Sequence, residues 1–344
     1  MRRTVKRNRV IVSDVHGALA QLPDASVDCV ITSPPYYLLR DYGMPGQIGL
    51  EASVEGWVDE LRLAMRGVAR VLKPTGTVWL NLGDSYSRHH HYGAPAKSLL
   101  LGPERLALGL VEDGWTVRNR IAWGKPNPMP SSVKDRLNTT WEFVYFLTRQ
   151  PKYHFDLDAI RVPHRSIRRT SAKTKAVALS TPGTKPTWAG PLAGSNIGLK
   201  RLKAAGLVGH PWGANPGDVW TIATAGYRGQ HFATFPPALV SRPLLAACPE
   251  RVCRACGQPW QRFHQALDRH IHGVLKPTCQ CHARWQPGLV LDPFFGAGTV
   301  GVVAEQHGRD WLGIELNPEF AQMAEERINA NRRARSDGDV RQAA

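Results

Sequence analysis

The sequence predicts an α/β protein whose core is a mainly parallel sheet covered by helices on both faces. Three observations predict it. Short β-branched runs alternate with stretches of helical apolar spacing, as they do when helices cross between parallel strands. One such run, residues 27–31, halts on Thr32-Ser33-Pro34-Pro35-Tyr36-Tyr37, while another, 289–291, opens into the glycine-rich turn Asp292-Pro293-Phe294-Phe295-Gly296-Ala297-Gly298-Thr299. Between them lies a stretch, 159–217, with ten Lys and Arg residues, no Asp or Glu, and little periodicity.

Taken in order, residues 10–14 read as a short strand and 18–22 as a helical turn before Pro23-Asp24. Strand 27–31 ends where it does because neither Pro34 nor Pro35 has an N–H for a sheet ladder, and each keeps its predecessor extended. Residues 55–72 have helical apolar spacing (Trp57, Leu61, Met65, Val68, Leu72) and stop at the turn signal Lys73-Pro74-Thr75-Gly76. Strand 77–82 follows, closed by Gly83-Asp84, then a solvated loop bearing His89-His90-His91. Next come helix 99–111, strand 115–123, the rigid loop Lys125-Pro126-Asn127-Pro128-Met129-Pro130 and the buried strand 142–147. Order returns after the basic stretch at Asp218-Val219-Trp220 and in helix 237–247. The chain closes with strand 289–291, the glycine turn, helix 299–306, strand 311–315 and helix 318–331, with Arg332-Arg333 past its end.

Composition sets outer limits. A chain of 344 residues with 42% apolar content holds one large domain with an insertion, or two modest ones. No apolar run is long enough to span a bilayer. The basic start Met1-Arg2-Arg3-Thr4-Val5-Lys6-Arg7 leads into no apolar h-region, so no secretory signal is expected. The formal charge is +16, and ten positive charges fall in the acid-free stretch, so the expected partner is a polyanion.

The two landmarks carry chemistry. The proline turn offers unpaired carbonyls, the Ser33 hydroxyl and the aromatic face of Tyr36, a set that suits a planar base with an amino group. In the glycine-rich turn, backbone can approach a ligand closely and the following helix offers free N–H groups. Glu315 lies at the end of the next strand, about where an acidic residue meets ribose hydroxyls in dinucleotide folds. Gly296-x-Gly298-x-x-Gly301 also fits the NAD fingerprint, so an NAD-dependent oxidoreductase is the competing reading. Too little chain follows Glu315 to supply the remaining strands of such a domain. They must precede it, which means a permuted sheet.

The Ser33–Tyr36 motif resembles the Ser-Pro-Pro-Tyr motif of DNA amino-methyltransferases. With Asp-Pro-Phe-x-Gly-x-Gly-Thr placed after it and a basic region between, the order is similar to the β class of that family. The resemblance spans most of 8–158 and 218–330. It implies a Rossmann-like, S-adenosylmethionine-dependent methyltransferase sheet, circularly permuted, acting on double-stranded DNA in the cytoplasm of a prokaryotic cell or a phage-infected host. By the resemblance, Asp292, Phe294, Gly296 and Gly298, with Pro293 and Thr299 in the same motif, cradle the methionine part of the cofactor, and Glu315 holds the ribose. Gln230-His231-Phe232-Ala233-Thr234-Phe235-Pro236 is similar to the family's extra cofactor motif, giving His231, Phe232 and Thr234 as cofactor residues; Asp14 is placed near the adenine. Ala297 stands where the family often has Ser. Ser33, Pro34, Pro35 and Tyr36 form the catalytic set: the Ser33 hydroxyl and Pro34 carbonyl accept the two amino hydrogens, and Tyr36 stacks on a flipped-out base. Family members with Asp or Asn at the first motif position mostly modify adenine N6, and those with Ser mostly cytosine N4, so Ser33 points to cytosine N4 with adenine N6 as the alternative. A cognate restriction endonuclease and a homodimer are the further partners to consider.

Five of the six cysteines lie between Cys248 and Cys281. Clustering of this kind points to a local metal site in a reduced compartment. Cys253-x-x-Cys256 and Cys279-x-Cys281 have the two-pair layout of a small structural zinc ribbon or knuckle, with Gly257 suited to the tight turn and Cys248 and His282 as spare ligands. Cys29 reads as core. The expected division is a catalytic half (1–158), a basic target-recognition insertion (159–230), the extra cofactor motif and helix (231–247), a zinc element (248–287), a cofactor-binding half (288–335) and a tail (336–344). Arg165, Arg168, Arg169, Lys200 and Arg201 are the expected DNA contacts in the insertion.

Overall fold

Chain order in the computed structural model, which describes residues 5–164, 210, 212–224, 235–267 and 270–342, begins with β1 (Arg9–Val12), α1 (Val15–Gln21), β2 (Val27–Thr32), α2 (Val54–Val71) and β3 (Leu72–Leu82). Then come α3 (Gly102–Glu112), β4 (Thr116–Gly124), β5 (Trp141–Thr148), β6 (Val219–Thr221) and α4 (Pro237–Ala247). The cysteine segment adds β7 (Val252–Cys253), β8 (Gln261–Leu267), β9 (His270–Lys276) and β10 (Trp285–Gln286). The chain finishes with β11 (Leu289–Asp292), α5 (Thr299–Gln306), β12 (Asp310–Glu315) and α6 (Pro318–Gln342). Two compact units result: Met1–Asp156 with Gly217–Phe263 and Val274–Ala344, and Leu157–Pro216 with His264–Gly273.

The first unit is a mixed α/β layer structure. Its sheet runs in the order β1-β12-β11-β2-β3-β5-β4-β6. Every neighbouring pair is parallel except those made by β5, which runs antiparallel to both β3 and β4. Alternation along each strand explains how both faces are filled, because successive side chains point to opposite sides. Val30, Val78, Leu80, Leu289 and Leu291 join α1, α2 and α3 in one buried cluster. Cys29, Ile31, Trp79 and Val290 join α4, α5 and residues of α6 in the other. Cys29 is therefore core, as its place in the strand predicts, and burial pushes its thiol up to about 12.

The elements lie close to their sequence signals, with two corrections. The turn expected at 73–76 belongs to β3, which starts at Leu72 with no break after α2. The pairing with β2 slips there, from Val27↔Leu72 to Cys29↔Thr77, so Pro74 sits where no ladder bond is due. Gly76 permits the bulge: a Cβ would stand 2.6 Å from the Leu72 Cδ1 and 3.0 Å from the Asp28 carbonyl. Helix α6 runs on to Gln342, so Arg332 lies inside it; its Nε donates to Glu305 Oε2 of α5 at 2.8 Å, tying the extra turns down. Among the described residues no helix is long and apolar enough to cross a membrane.

In the second unit, Val162 and Ala214 form an antiparallel bridge, and Arg161 reaches both Asp158 and the Gly213 carbonyl.

Candidate active site

Pairing of β11 with β2 (Val290↔Cys29, Leu291↔Val30) brings the ends of the two strands together. Thr32 and Asp292, 260 residues apart in the chain, are directly bonded: the Thr32 hydroxyl donates to Asp292 Oδ1 at 2.6 Å. The same oxygen accepts the Phe294 N–H at 3.1 Å. Asp292 is 1% exposed. Burial pushes its carboxyl up to about 8, with Glu315 adding repulsion, although the Thr32 and Phe294 donors pull the other way. Pro34 and Thr32 from one turn and Pro293 and Phe294 from the other line a common small apolar cavity.

The glycine-rich turn is shaped by its backbone and pinned by neighbouring side chains. Gly296 and Gly298 have φ of 49° and 73°, the left-handed region that only glycine enters freely. A Cβ on Gly298 would also stand 2.9 Å from the Ala324 Cβ. The Gly296 N–H donates to Glu315 Oε2 at 2.7 Å and the Asn317 N–H to Oε1 at 2.9 Å. Burial raises the Glu315 carboxyl above its ordinary value. Phe295 stacks on Trp311 with centroids 5.2 Å apart and fixes the turn from below, while Arg327 donates to the Ala297 carbonyl and to the Thr299 hydroxyl, each at 3.0 Å. The Ser13 N–H reaches the Glu315 carbonyl at 3.0 Å, so the end of β1 adjoins this turn. Asp14 there is exposed and caps α1, accepting the Gly17 N–H at 2.8 Å, which holds its carboxyl below the usual range.

The proline turn is held by side chains. The Trp57 indole donates to the Pro35 carbonyl at 2.9 Å, whereas no donor among the described residues reaches the Pro34 carbonyl. The Tyr36 ring edge lies on Gly83, where a Cβ would come within 2.7 Å of Cε2. The Tyr36 hydroxyl donates to Glu142 Oε2 at 2.8 Å and lies 3.3 Å from Asn81 Oδ1; the Ser33 Oγ is 3.4 Å from it. Asn81 Nδ2 donates to the Phe143 carbonyl at 2.9 Å, and Lys125 is ion-paired with Glu142. Burial lifts the Tyr36 phenol well above its usual value, and Glu142 adds to the lift.

Thr32, Asn81, Lys125 and Glu142 escape sequence reasoning. A signal existed for two of them: Asn81 and Glu142 are polar residues in otherwise apolar strands, and such residues need partners. Of the expected site residues, the structure brings together Ser33, Pro34, Pro35 and Tyr36 with Asp292, Pro293, Phe294, Gly296, Gly298, Thr299 and Glu315. His231, Phe232 and Thr234, like Arg165, Arg168, Arg169, Lys200 and Arg201, lie outside the described residues.

At the cysteine element, β7 and β10 pair antiparallel through Trp285↔Cys253, and Gly257 turns back at φ 76° to donate to the Cys253 carbonyl at 2.8 Å. The Sγ atoms of Cys253, Cys256, Cys279 and Cys281 lie within 4.8 Å of one another. Backbone N–H groups of Cys256 and Ala255 lower the Cys253 thiol to about 7, while hydrogen bonds to the Cys256 and Cys279 sulfurs raise Cys281 to about 12. Neither spare ligand joins the group: Cys248 is buried in the apolar core, and His282 is not among the residues whose ligand atoms meet there.

Fold and site define a class: an α/β protein that sets a glycine-rich turn beside a proline-bounded turn at the ends of two paired parallel strands. The N6/N4 DNA methylase family matches residues 27–326, and the chain belongs to this family of DNA amino-methyltransferases. It is 33% identical over 337 residues to the Type II methyltransferase M.Cfr9I of Citrobacter freundii, covering 92% of this chain and 85% of that one. It is 34% identical to the Type II methyltransferase M.XycI of Xanthomonas campestris pv. cyanopsidis over the same span and shares. The solved PvuII DNA methyltransferase (cytosine-N4-specific) superposes with a TM-score of 0.56 over 95% of this chain and 92% of that one at 19% identity, a likeness of fold.

Proposed function

We propose that this DNA methyltransferase transfers the methyl group of S-adenosylmethionine to the exocyclic N4 of cytosine in a flipped-out base. The observation that carries the reading is the Thr32–Asp292 bond across β2 and β11, which sets the amine-binding turn against the cofactor turn. When bound, S-adenosylmethionine supplies an electrophilic methyl carbon on a sulfonium. The residues fit it. Asp292 is a buried carboxyl for the cofactor's ammonium, the positive-φ glycines leave a backbone cradle, and Glu315 keeps a lone pair on each oxygen for ribose hydroxyls. An exocyclic amine is a poor nucleophile because its lone pair is delocalised into the ring. Acceptors at Ser33 Oγ and the free Pro34 carbonyl bind its hydrogens and favour a tetrahedral nitrogen, the kind of preorganised dipole that dominates catalysis. Tyr36 gives the base a stacking surface.

Ser33 selects cytosine in this reading. Incubating the protein with DNA and labelled S-adenosylmethionine and digesting to nucleosides should yield N4-methylcytosine; N6-methyladenine as sole product overturns the choice of base. In calorimetry the methyl donor binds and NAD does not; binding of NAD alone revives the dehydrogenase.

The sheet reads as circularly permuted, because the cofactor turn follows in the chain the strands β1 and β2 that flank β11 and β12 in the sheet. His231, Phe232, Thr234 and Asp14 complete the cofactor site by resemblance. The insertion 159–230 touches DNA phosphates through Arg165, Arg168, Arg169, Lys200 and Arg201. Charge reversal at Arg168 and Arg169 then weakens binding to all sequences and flattens its salt dependence. One structural zinc sits on Cys253, Cys256, Cys279 and Cys281, a donor set with no open position for chemistry. Elemental analysis should give one zinc per chain, and a fully folded, metal-free sample refutes it. A cognate restriction endonuclease is the natural partner, with a homodimer as the assembly to test.

A further inference from the structure

We propose that Glu142 is a positioning residue that sets the direction of the hydrogen-bond chain ending at Ser33, so that the Ser33 hydroxyl presents acceptor lone pairs, and not its proton, to the base. The inference rests on Ser33 being the group that meets the amine.

A serine hydroxyl is both donor and acceptor and rotates to suit its partner. Left free, it would greet an amino group or a carbonyl at the same ring position equally well, and only the Pro34 carbonyl would tell a base from its keto analogue. The surroundings remove that freedom. A carboxylate only accepts, and Glu142, ion-paired with Lys125 on one oxygen, faces the Tyr36 hydroxyl with the other at 2.8 Å. The nearby Asn81 amide also offers Tyr36 an oxygen, because its nitrogen donates to the Phe143 carbonyl at 2.9 Å and to Glu142 Oε2 at 3.3 Å. Both of these neighbours call on the single phenolic proton, and burial keeps that proton on the phenol. The Tyr36 oxygen can therefore only accept from Ser33, whose Oγ stands 3.4 Å away. The Ser33 proton is thus turned inward, and its lone pairs face the pocket beside the free Pro34 carbonyl. Two acceptors match an amine's two hydrogens and repel a carbonyl.

The test compares affinity for two duplexes that differ only at the target base: the amino base, and its keto analogue (uracil for cytosine, hypoxanthine for adenine), with S-adenosylhomocysteine present. Using the same duplexes throughout cancels their different pairing costs. Glu142→Gln keeps the shape but puts an amide N–H against Tyr36, since Lys125 retains the oxygen. Its preference for the amino base should fall about tenfold, the worth of one hydrogen bond. Tyr36→Phe should lose the same preference by freeing Ser33, and the double variant should be no worse than Tyr36→Phe alone, because Glu142 acts through the Tyr36 hydroxyl. An undiminished preference in Glu142→Gln, or an effect of equal size in the Tyr36→Phe background, overturns the proposal. Should Glu142→Gln not fold, Tyr36→Phe with wild-type preference overturns it equally. A wild-type protein that methylates no amino base fails the parent reading instead, and its methylation assay shows that independently.

Discussion

At the end of β11 the turn takes its shape from backbone, two positive-φ glycines and a helix that starts at once, and Glu315, Phe295 and Arg327 pin that shape without taking part in a hydroxyl chain. At the end of β2 two prolines stiffen the turn, Trp57 holds the Pro35 carbonyl, and a chain of hydrogen bonds runs from Ser33 through Tyr36 to Glu142, 106 residues further on. In the proposed reading the cofactor meets a backbone cradle with no room for an added atom at Gly298, and the base meets a hydroxyl network, whose geometry can be tuned without moving the chain. Damage to the first turn should therefore show in folding and cofactor binding, and damage to the second in turnover and choice of base.

The largest effect should come from Gly298→Ala. A residue there must take φ 73° and stand 2.9 Å from the Ala324 Cβ. Together these cost about 2–4 kcal/mol of stability, readable by chemical denaturation, with loss of cofactor binding. The matching change in the other turn, Gly83→Ala, presses on the Tyr36 ring and should lower turnover while cofactor affinity holds. If both variants lose cofactor binding equally, the division of labour is wrong.

Acidity gives the next test. Folding raises the Asp292 carboxyl from 3.8 to about 8, so the folded state holds a proton that the unfolded state releases first. The stability it contributes is full below about pH 4, is lost as pH rises towards 8, and is level beyond. Affinity for a cofactor bearing an ammonium should move oppositely, rising up to about pH 8. Asp292→Asn flattens both trends, and denaturation and calorimetry across pH would show it.

How much was legible follows the same line. Proline, glycine and the charge pattern act through local backbone rules, so the turn at Pro34-Pro35, the cradle at Gly296 and Gly298 and the acidic partner Glu315 could be picked out directly. The network under Tyr36 could not, because β5 and its Glu142 join it only through a sheet pairing that no local pattern specifies. The misread turn at 73–76 has the same origin: Pro74 and Gly76 are turn residues by local rules, and only the slipped pairing with β2 makes room for them in a strand. The last helix ran past Asn331 because Glu305, on another helix, holds Arg332.

The smallest effect should be Thr32→Val, which deletes the single bond joining the turns. It should cost about 1 kcal/mol and raise the Asp292 carboxyl further, weakening the cofactor several-fold at neutral pH while leaving the choice of base unchanged.

The central claim is that the two turns form one site with divided roles, and the most direct measurement pairs cofactor calorimetry with single-turnover methyl transfer on Ser33→Ala and Asp292→Ala. Ser33→Ala should bind S-adenosylmethionine as the wild type does and transfer its methyl group about a hundredfold more slowly. Asp292→Ala should fail at binding. Loss of cofactor binding in Ser33→Ala, or wild-type transfer by it, would contradict the account.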